Sequence, residues 1–161
     1  MTIAVNITVN GEERRLSAPP YRSLLDALRN ELSLTGTKKG CEVGDCGSCT
    51  VILDGKPVNA CLVLAAEVDS AIIETIEGLQ NAPGRPSLLQ ESFMAHGAAQ
   101  CGFCTPGILV MAKALLDENP DPSEAEIRFA LAGNICRCTG YTKIVAAIRA
   151  AAEQGKRERV A

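Results

Sequence analysis

Cys41-Glu42-Val43-Gly44-Asp45-Cys46-Gly47-Ser48-Cys49 packs three cysteines into one short loop, with Gly40 just before it and Cys61 after a gap of eleven residues. Such a loop bends tightly, because glycine reaches backbone conformations barred to other residues. Downstream, Thr50–Leu53 is a strand, Asp54-Gly55 is a hairpin turn, and 57–61 is the returning strand. Upstream, Ser23 caps a helix whose stripe is Leu24, Leu25, Leu28 and Leu32, with Asp26 at the third position. Before that, Ile3, Val5, Ile7 and Val9 alternate with polar or small residues, and Asn10-Gly11 turns the chain back through Arg14–Leu16. Ala71–Ile76 supplies a late strand. The first half therefore predicts a small mixed sheet with one helix across it.

Asn81-Ala-Pro-Gly-Arg-Pro86 marks a boundary, after which the apolar period becomes helical. Pro86 at a first helical position opens a helix on Leu88, Leu89 and Phe93. Thr105-Pro106, as cap and following proline, opens another through Asp117, with Ile108, Leu109, Met111, Leu115 and Leu116 as bundle core and subunit interface. Ser123 and Glu126 form a capping box for a third helix, ended by Gly133. A fourth runs over 142–153 with Ile144, Val145 and Ile148 inward, and a charged tail is expected to fray. The fold class expected is α+β, in the order domain 1–78, linker 79–86, helical domain 87–154 and tail 155–161. Each half is small enough to be marginal on its own core, so a staple in each makes physical sense.

The cysteines offer that staple. All eight of the 161 residues' cysteines divide four and four: C-x4-C-x2-C-x11-C in the first half, and Cys101, Cys104, Cys136 and Cys138 as C-x2-C-x31-C-x-C in the second. Three chemistries compete. Disulfides need an oxidising compartment, and the N-terminus shows no export signal, so a cytoplasmic location is expected. Structural zinc favours two compact pairs around one ion, and neither set has that spacing. A [2Fe–2S] cluster needs four thiolates spread around a longer rhomb, and C-x4-C-x2-C with a distant fourth cysteine is the plant-type ferredoxin spacing. A Rieske centre is excluded, because it takes two histidines and the chain has only His96. Gly40, Gly44 and Gly47 are expected to let the loop close on the cluster and direct N–H groups at its sulfurs.

Thr35-Gly-Thr-Lys-Lys-Gly-Cys41, continuing through Gly44-Asp-Cys46-Gly-Ser-Cys49-Thr-Val51, resembles the ferredoxin domain of the xanthine oxidase family of molybdenum hydroxylases. Gln100-Cys-Gly-Phe-Cys-Thr-Pro-Gly107 and Gly133-Asn-Ile-Cys-Arg-Cys-Thr-Gly-Tyr141 resemble its second-cluster motifs. The resemblance spans essentially the whole chain and is to the separate small iron–sulfur subunit. Ser48, where the family commonly has alanine, leaves the ligands intact. It implies an N-terminal β-grasp domain followed by an all-α four-helix bundle, with two [2Fe–2S] clusters. Cys41, Cys46, Cys49 and Cys61 would hold one; Cys101, Cys104, Cys136 and Cys138 would hold the other. It further implies a molybdopterin-binding large subunit, an FAD-binding medium subunit, and an electron path from molybdenum through the bundle cluster and ferredoxin cluster to FAD. Within this picture Gln100 contacts the pterin and Cys138 lies beside its amino group. Arg137, between two thiolates, either offsets cluster charge or meets the cofactor's phosphates, or is a plain surface arginine. The chain would be part of an oxidoreductase, itself doing no bond-making chemistry.

A free-standing two-cluster ferredoxin and a zinc-built adaptor are the competing classes. The first leaves Gln100 and the Cys-Arg-Cys-Thr-Gly segment without a purpose, and the second would lack visible absorbance. The net charge of −3 argues against a nucleic-acid partner, and no apolar run is long enough to span a membrane. Four thiolates around a 2+ core add about −2 per cluster, which brings the iron-loaded chain to about −7. His96 reads as a hydrogen-bonded structural residue. Lys38 and Lys39 face either a partner or solvent.

Overall fold

A computed structural model of the chain describes residues 2–82 and 84–160. Met1, Pro83 of the expected linker and Ala161 of the expected tail lie outside the described residues. Strands β1 (Ile3–Val9), β2 (Glu12–Ala18), β3 (Thr50–Leu53), β4 (Lys56–Asn59) and β5 (Ile72–Glu74) form one sheet in the order β2-β1-β5-β3-β4. β1 runs parallel to β5 and antiparallel to β2, while β3 is antiparallel to both its neighbours. Both expected hairpins form. Asn10 and Gly11 take φ of +51° and +81°, and Asp54 and Gly55 take +48° and +80°, the left-handed pairs a two-residue turn requires. Pro57 is tolerated because β4 is an edge strand.

Helix α1 (Leu24–Asn30) begins where Ser23 Oγ accepts from Asp26 N at 3.1 Å. Leu24, Leu25 and Leu28 pack onto Val5, Ile7, Val9, Val51 and Ile73 in one core. Leu32 lies beyond the helix, partly buried against the same core. β5 is shorter than the apolar pattern predicts. Thr75 N donates to Asn10 Oδ1 at 2.8 Å, so a side chain replaces the next rung of the ladder, and a 3₁₀ turn follows at Ile76–Leu79.

The second half is four helices: α2 (Leu88–Ala95), α3 (Thr105–Glu118), α4 (Glu124–Ala130) and α5 (Thr142–Val160). Their inward residues include Leu89, Phe93, Ile108, Leu109, Ile127, Ile144, Val145 and Ile148; Met111, Leu115 and Leu116 are partly buried against them. Three boundaries differ from the sequence reading. Pro86 precedes the helix, because the capping box of Ser87 and Gln90 makes Leu88, two residues later, the first helical residue. Thr105 is the first helical residue of α3 and Cys104 its N-cap, with Pro106 still in the first turn. The tail from Gly155 continues α5 to Val160 rather than fraying, held by a Lys156–Asp121 ion pair and by Arg157 and Arg159 at the favourable end of the helix dipole.

The two halves share more than a linker. β3 is buried on both faces, with Val51 in the sheet–α1 core and Ile52 in the helical core beside α3. That double burial explains why Val51–Leu53 is a continuous apolar run rather than an alternating one. No helix among the described residues is long and apolar enough to cross a membrane.

Candidate metal centres

The loop after α1 is fixed at its start by Arg29, whose Nη1 donates to Thr35 O and Thr37 O, both at 2.7 Å. It then passes Gly40, where an added Cβ would stand 2.7 Å from Cys46 Sγ, so only glycine lets the backbone come this close to the thiol. Gly44 sits under Leu62. Val43 N and Cys46 N point at Cys41 Sγ from 3.5 and 3.4 Å. The glycines thus make room, while the N–H groups directed at that sulfur come from their neighbours.

In the first half the four thiols sort into two pairs. Cys41 lies within hydrogen-bonding reach of Cys46, and Cys49 within reach of Cys61. Those backbone donors bring Cys41 down to about 7, whereas burial pushes Cys49 up to about 12. In the second half Cys101 Sγ and Cys138 Sγ are 3.6 Å apart and exposed, while Cys104 and Cys136 pair further in. Burial also pushes Cys104 up to about 12. Burial works against ionising Cys136 as well, but the Thr139 hydroxyl at 3.1 Å and the Cys104 thiol outweigh it and leave Cys136 lowered.

Two pairs per set is the arrangement a two-iron rhomb takes, with a pair for each iron. One tetrahedral ion would instead draw four thiols to a single point. Among the described residues no three His, Cys, Asp or Glu side chains gather closely enough to hold one metal ion. The donor set, the pairing and the glycine-made clearance fit [2Fe–2S] clusters. In the metal-free chain Cys41 is a thiolate above about pH 7, so its alkylation by iodoacetamide is expected to be half-maximal near that pH. Cys49 and Cys104 should resist at neutral pH; peptide mapping after brief labelling checks the order.

Gln100 is exposed immediately before Cys101, and Arg137 is exposed between Cys136 and Cys138. Both therefore stand on the open side of the second set. Lys39 pairs with Asp26 at 3.2 Å and Glu42 at 2.6 Å, and Lys38 Nζ donates to Thr35 O, so these cations brace their own loop. His96 Nδ1 donates to Ser92 O at 2.8 Å at the end of α2, the structural role expected of it.

The sequence reading assigned no part to Asn134, Ile135, Tyr141 or Gly107. Tyr141 OH donates to Asn134 O at 3.0 Å and accepts from Cys136 N at 2.7 Å, clamping the Cys136–Cys138 loop from within. Asn134 is buried, and its Nδ2 donates to Gly47 O at 2.9 Å and Thr50 Oγ1 at 3.1 Å. Ile135 N donates to Cys46 O at 2.9 Å. Gly107 stands against Gly47, where an added Cβ would overlap Gly47 O. These residues seat one thiol set against the other across the domain boundary. The available signal was their place inside the cysteine motifs, which gives no hint of the contact's direction.

Comparison with known proteins agrees with this layout. The 2Fe-2S iron-sulfur cluster binding domain family matches residues 7–74, and the [2Fe-2S] binding domain family matches residues 75–149. The nicotinate dehydrogenase small FeS subunit of Eubacterium barkeri is 52% identical over 94% of this chain and 96% of its own length. Aldehyde oxidoreductase of Megalodesulfovibrio gigas is 51% identical over 91% of this chain, which spans 16% of that longer protein. The crystal structure of quinoline 2-oxidoreductase from Pseudomonas putida 86 superposes with a TM-score of 0.93 at 47% identity, covering 97% of each chain. With a sheet domain and a helical domain each presenting four thiols as two pairs, and relatives of matching length and arrangement, the chain belongs to the small [2Fe–2S] subunits of the xanthine oxidase family of molybdenum hydroxylases.

Proposed function

We propose that this subunit carries electrons between a molybdopterin-binding large subunit and an FAD-binding medium subunit. Cys41, Cys46, Cys49 and Cys61 hold one [2Fe–2S] cluster, and Cys101, Cys104, Cys136 and Cys138 hold the other. The observation that carries this reading is the sorting of eight thiols into four close pairs, two on each side of one domain boundary. When bound, each cluster accepts and passes on a single electron. The chain's own residues set the direction. Exposed Cys101 and Cys138, with Gln100 and Arg137 beside them, form the face toward the pterin. Cys104 and Cys136 face inward, and the Cys46 loop receives them.

Gln100 can both donate and accept, as a pterin edge requires, and Arg137 supplies positive charge next to two thiolates. Substrate choice belongs to the large subunit on this reading. We place the complex in the cytoplasm as part of the same proposal, since a reducing medium keeps thiols free for iron. The test is iron analysis and EPR of the dithionite-reduced full chain. About four irons per chain and two distinguishable S = 1/2 signals are expected; zinc, or a single signal from a fully loaded chain, overturns the assignment. For Gln100→Ala both signals should persist while electron transfer from the large subunit falls about tenfold, the effect of losing one or two hydrogen bonds of about 1 kcal/mol. Wild-type transfer in that variant would remove Gln100 from the pterin contact.

A further inference from the structure

We propose that Thr139 is a positioning residue that raises the reduction potential of the second cysteine set, through the hydrogen bond its hydroxyl gives to Cys136 Sγ. The proposal rests on the cluster assignment above and adds a part for a side chain that touches a ligand without being one. Thr139 Oγ1 lies 3.1 Å from Cys136 Sγ, and Tyr141 N donates to that same oxygen at 3.2 Å. A hydroxyl carries one hydrogen and two lone pairs. The Tyr141 amide occupies a lone pair, and a thiolate that holds iron has no hydrogen to give. The Thr139 hydrogen is therefore directed at the sulfur. When one electron passes from a reductant to the cluster, the core goes from 2+ to 1+ and the negative charge on its sulfur ligands grows. A donor aimed at Cys136 Sγ favours that reduced state over the oxidised one. No bond forms or breaks, and the hydroxyl keeps its proton.

The loop is shaped around this contact. Gly140 has φ of +62° and Tyr141 of +66°, the second a conformation that residues with a side chain rarely adopt. These two left-handed residues turn the chain so that the Tyr141 amide reaches back to Thr139 Oγ1. Tyr141 OH, bonded to Asn134 O and Cys136 N, holds the strained residue from its other end. Strain of this kind persists only where surrounding contacts over-determine it, and here it aims a hydroxyl. The donor also serves one side of the set. Cys136 is 9% exposed, so water cannot readily replace the hydroxyl there as it could at exposed Cys138. In the first set the donors to Cys41 Sγ are the backbone amides of Val43 and Cys46. At Cys136 a side chain contributes, so the second set can be retuned by one substitution that leaves the first untouched. The competing reading is that Thr139 only ties the turn, as an acceptor for Tyr141 N.

The experiment uses the full chain with both clusters loaded. Dithionite supplies less than one electron per chain, and EPR reads how that electron divides between the two signals at equilibrium. The signal that survives in Cys41→Ala marks the second set. Thr139→Val removes the hydroxyl at nearly constant volume. Because the bond exists in both oxidation states, only the difference between them counts. The ratio of second to first signal should fall roughly fivefold to tenfold, tenfold being about 59 mV for one electron, with iron content unchanged. Thr139→Ser keeps the hydroxyl and should keep the wild-type ratio. ENDOR on the second set's signal should show one exchangeable proton coupling in wild type and Thr139→Ser that Thr139→Val lacks. Tyr141→Phe loosens the same loop but retains the Thr139 hydroxyl, so it should shift the ratio less than Thr139→Val. An unchanged ratio or an undiminished set of couplings in fully loaded Thr139→Val, or an equal shift in Tyr141→Phe, overturns the proposal. Should the valine variant lose the second cluster, Thr139→Ala decides, since it removes the hydroxyl without adding bulk. A lowered ratio there supports the proposal; an unchanged ratio, or loss of that cluster again, overturns it. A wild-type chain that binds zinc or fewer than two clusters overturns the cluster assignment itself.

Discussion

Cys41→Ala is expected to halve the iron content, from about four to about two per chain, and to abolish one EPR signal while leaving the other. Cys41 is lowered to about 7 before any metal arrives, because Val43 N and Cys46 N already stabilise its negative charge. Its loss removes one of four ligands and also the point where those amide dipoles act on the cluster. The second set does not depend on it, since its contacts with the first run through backbone and Asn134 rather than through Cys41. Substrate-driven reduction of the assembled complex should therefore still reach the Cys101–Cys138 side and stop there, with flavin staying oxidised. Disappearance of both signals would mean that the helical domain loads iron only when the sheet domain is already loaded.

Gly47→Ala should produce the largest change in stability. Gly47 has φ of +64°, and an added Cβ would overlap Gly133 O while lying 2.6 Å from Asn134 Nδ2 and 2.9 Å from Asn134 Cα. Two of those three neighbours are backbone atoms, so no side-chain rotation relieves the clash. Left-handed strain of about 1–2 kcal/mol and overpacking of about 1–3 kcal/mol predict a loss of roughly 2–5 kcal/mol. For a chain of this size that is a fall in Tm of roughly 5–15 °C. Gly11→Ala is the matched control. Its φ is +81° with nothing within 4 Å of an added Cβ, so only the strain of about 1–2 kcal/mol applies. Equal losses in the two variants would show that the packing at Gly47 contributes little.

Local chemistry made much of this fold legible in the sequence. Asn10-Gly11 and Asp54-Gly55 name their turns, Ser23 and Ser123 name their helix starts, and the cysteine spacing separates a two-iron set from a zinc knuckle. What stayed hidden depends on atoms far apart in the chain. β5 stops at Thr75 because Asn10 reaches across to it, a partnership of two polar residues that no apolar period records. α5 outruns its expected end because Asp121, in a loop, meets Lys156. The glycines are expected to let the loop close on the cluster and to direct N–H groups at its sulfurs. Gly47 also lets Gly133 and Asn134 approach from the other domain, and Gly107 lets α3 approach Gly47. A motif read along the chain shows which residues surround a thiol and not which face of them meets a second motif. Asn134 and Ile135 went unassigned on those grounds although they lie next to Cys136.

β3 also bears on how the protein tolerates change over time. Because Val51 belongs to one core and Ile52 to the other, neither domain can detach without exposing apolar surface from the same strand. Beyond Leu79, which is buried in the helical core, the segment 80–86 is therefore relieved of any duty to set the distance between the redox stations. Insertions or even a chain break there should leave that distance intact, whereas a one-residue register slip in β3 would exchange the two faces and dismantle both cores together. Selection on electron spacing thus falls on this four-residue strand and on the Gly47–Asn134 contact beside it, and the tether between the domains is left free to drift.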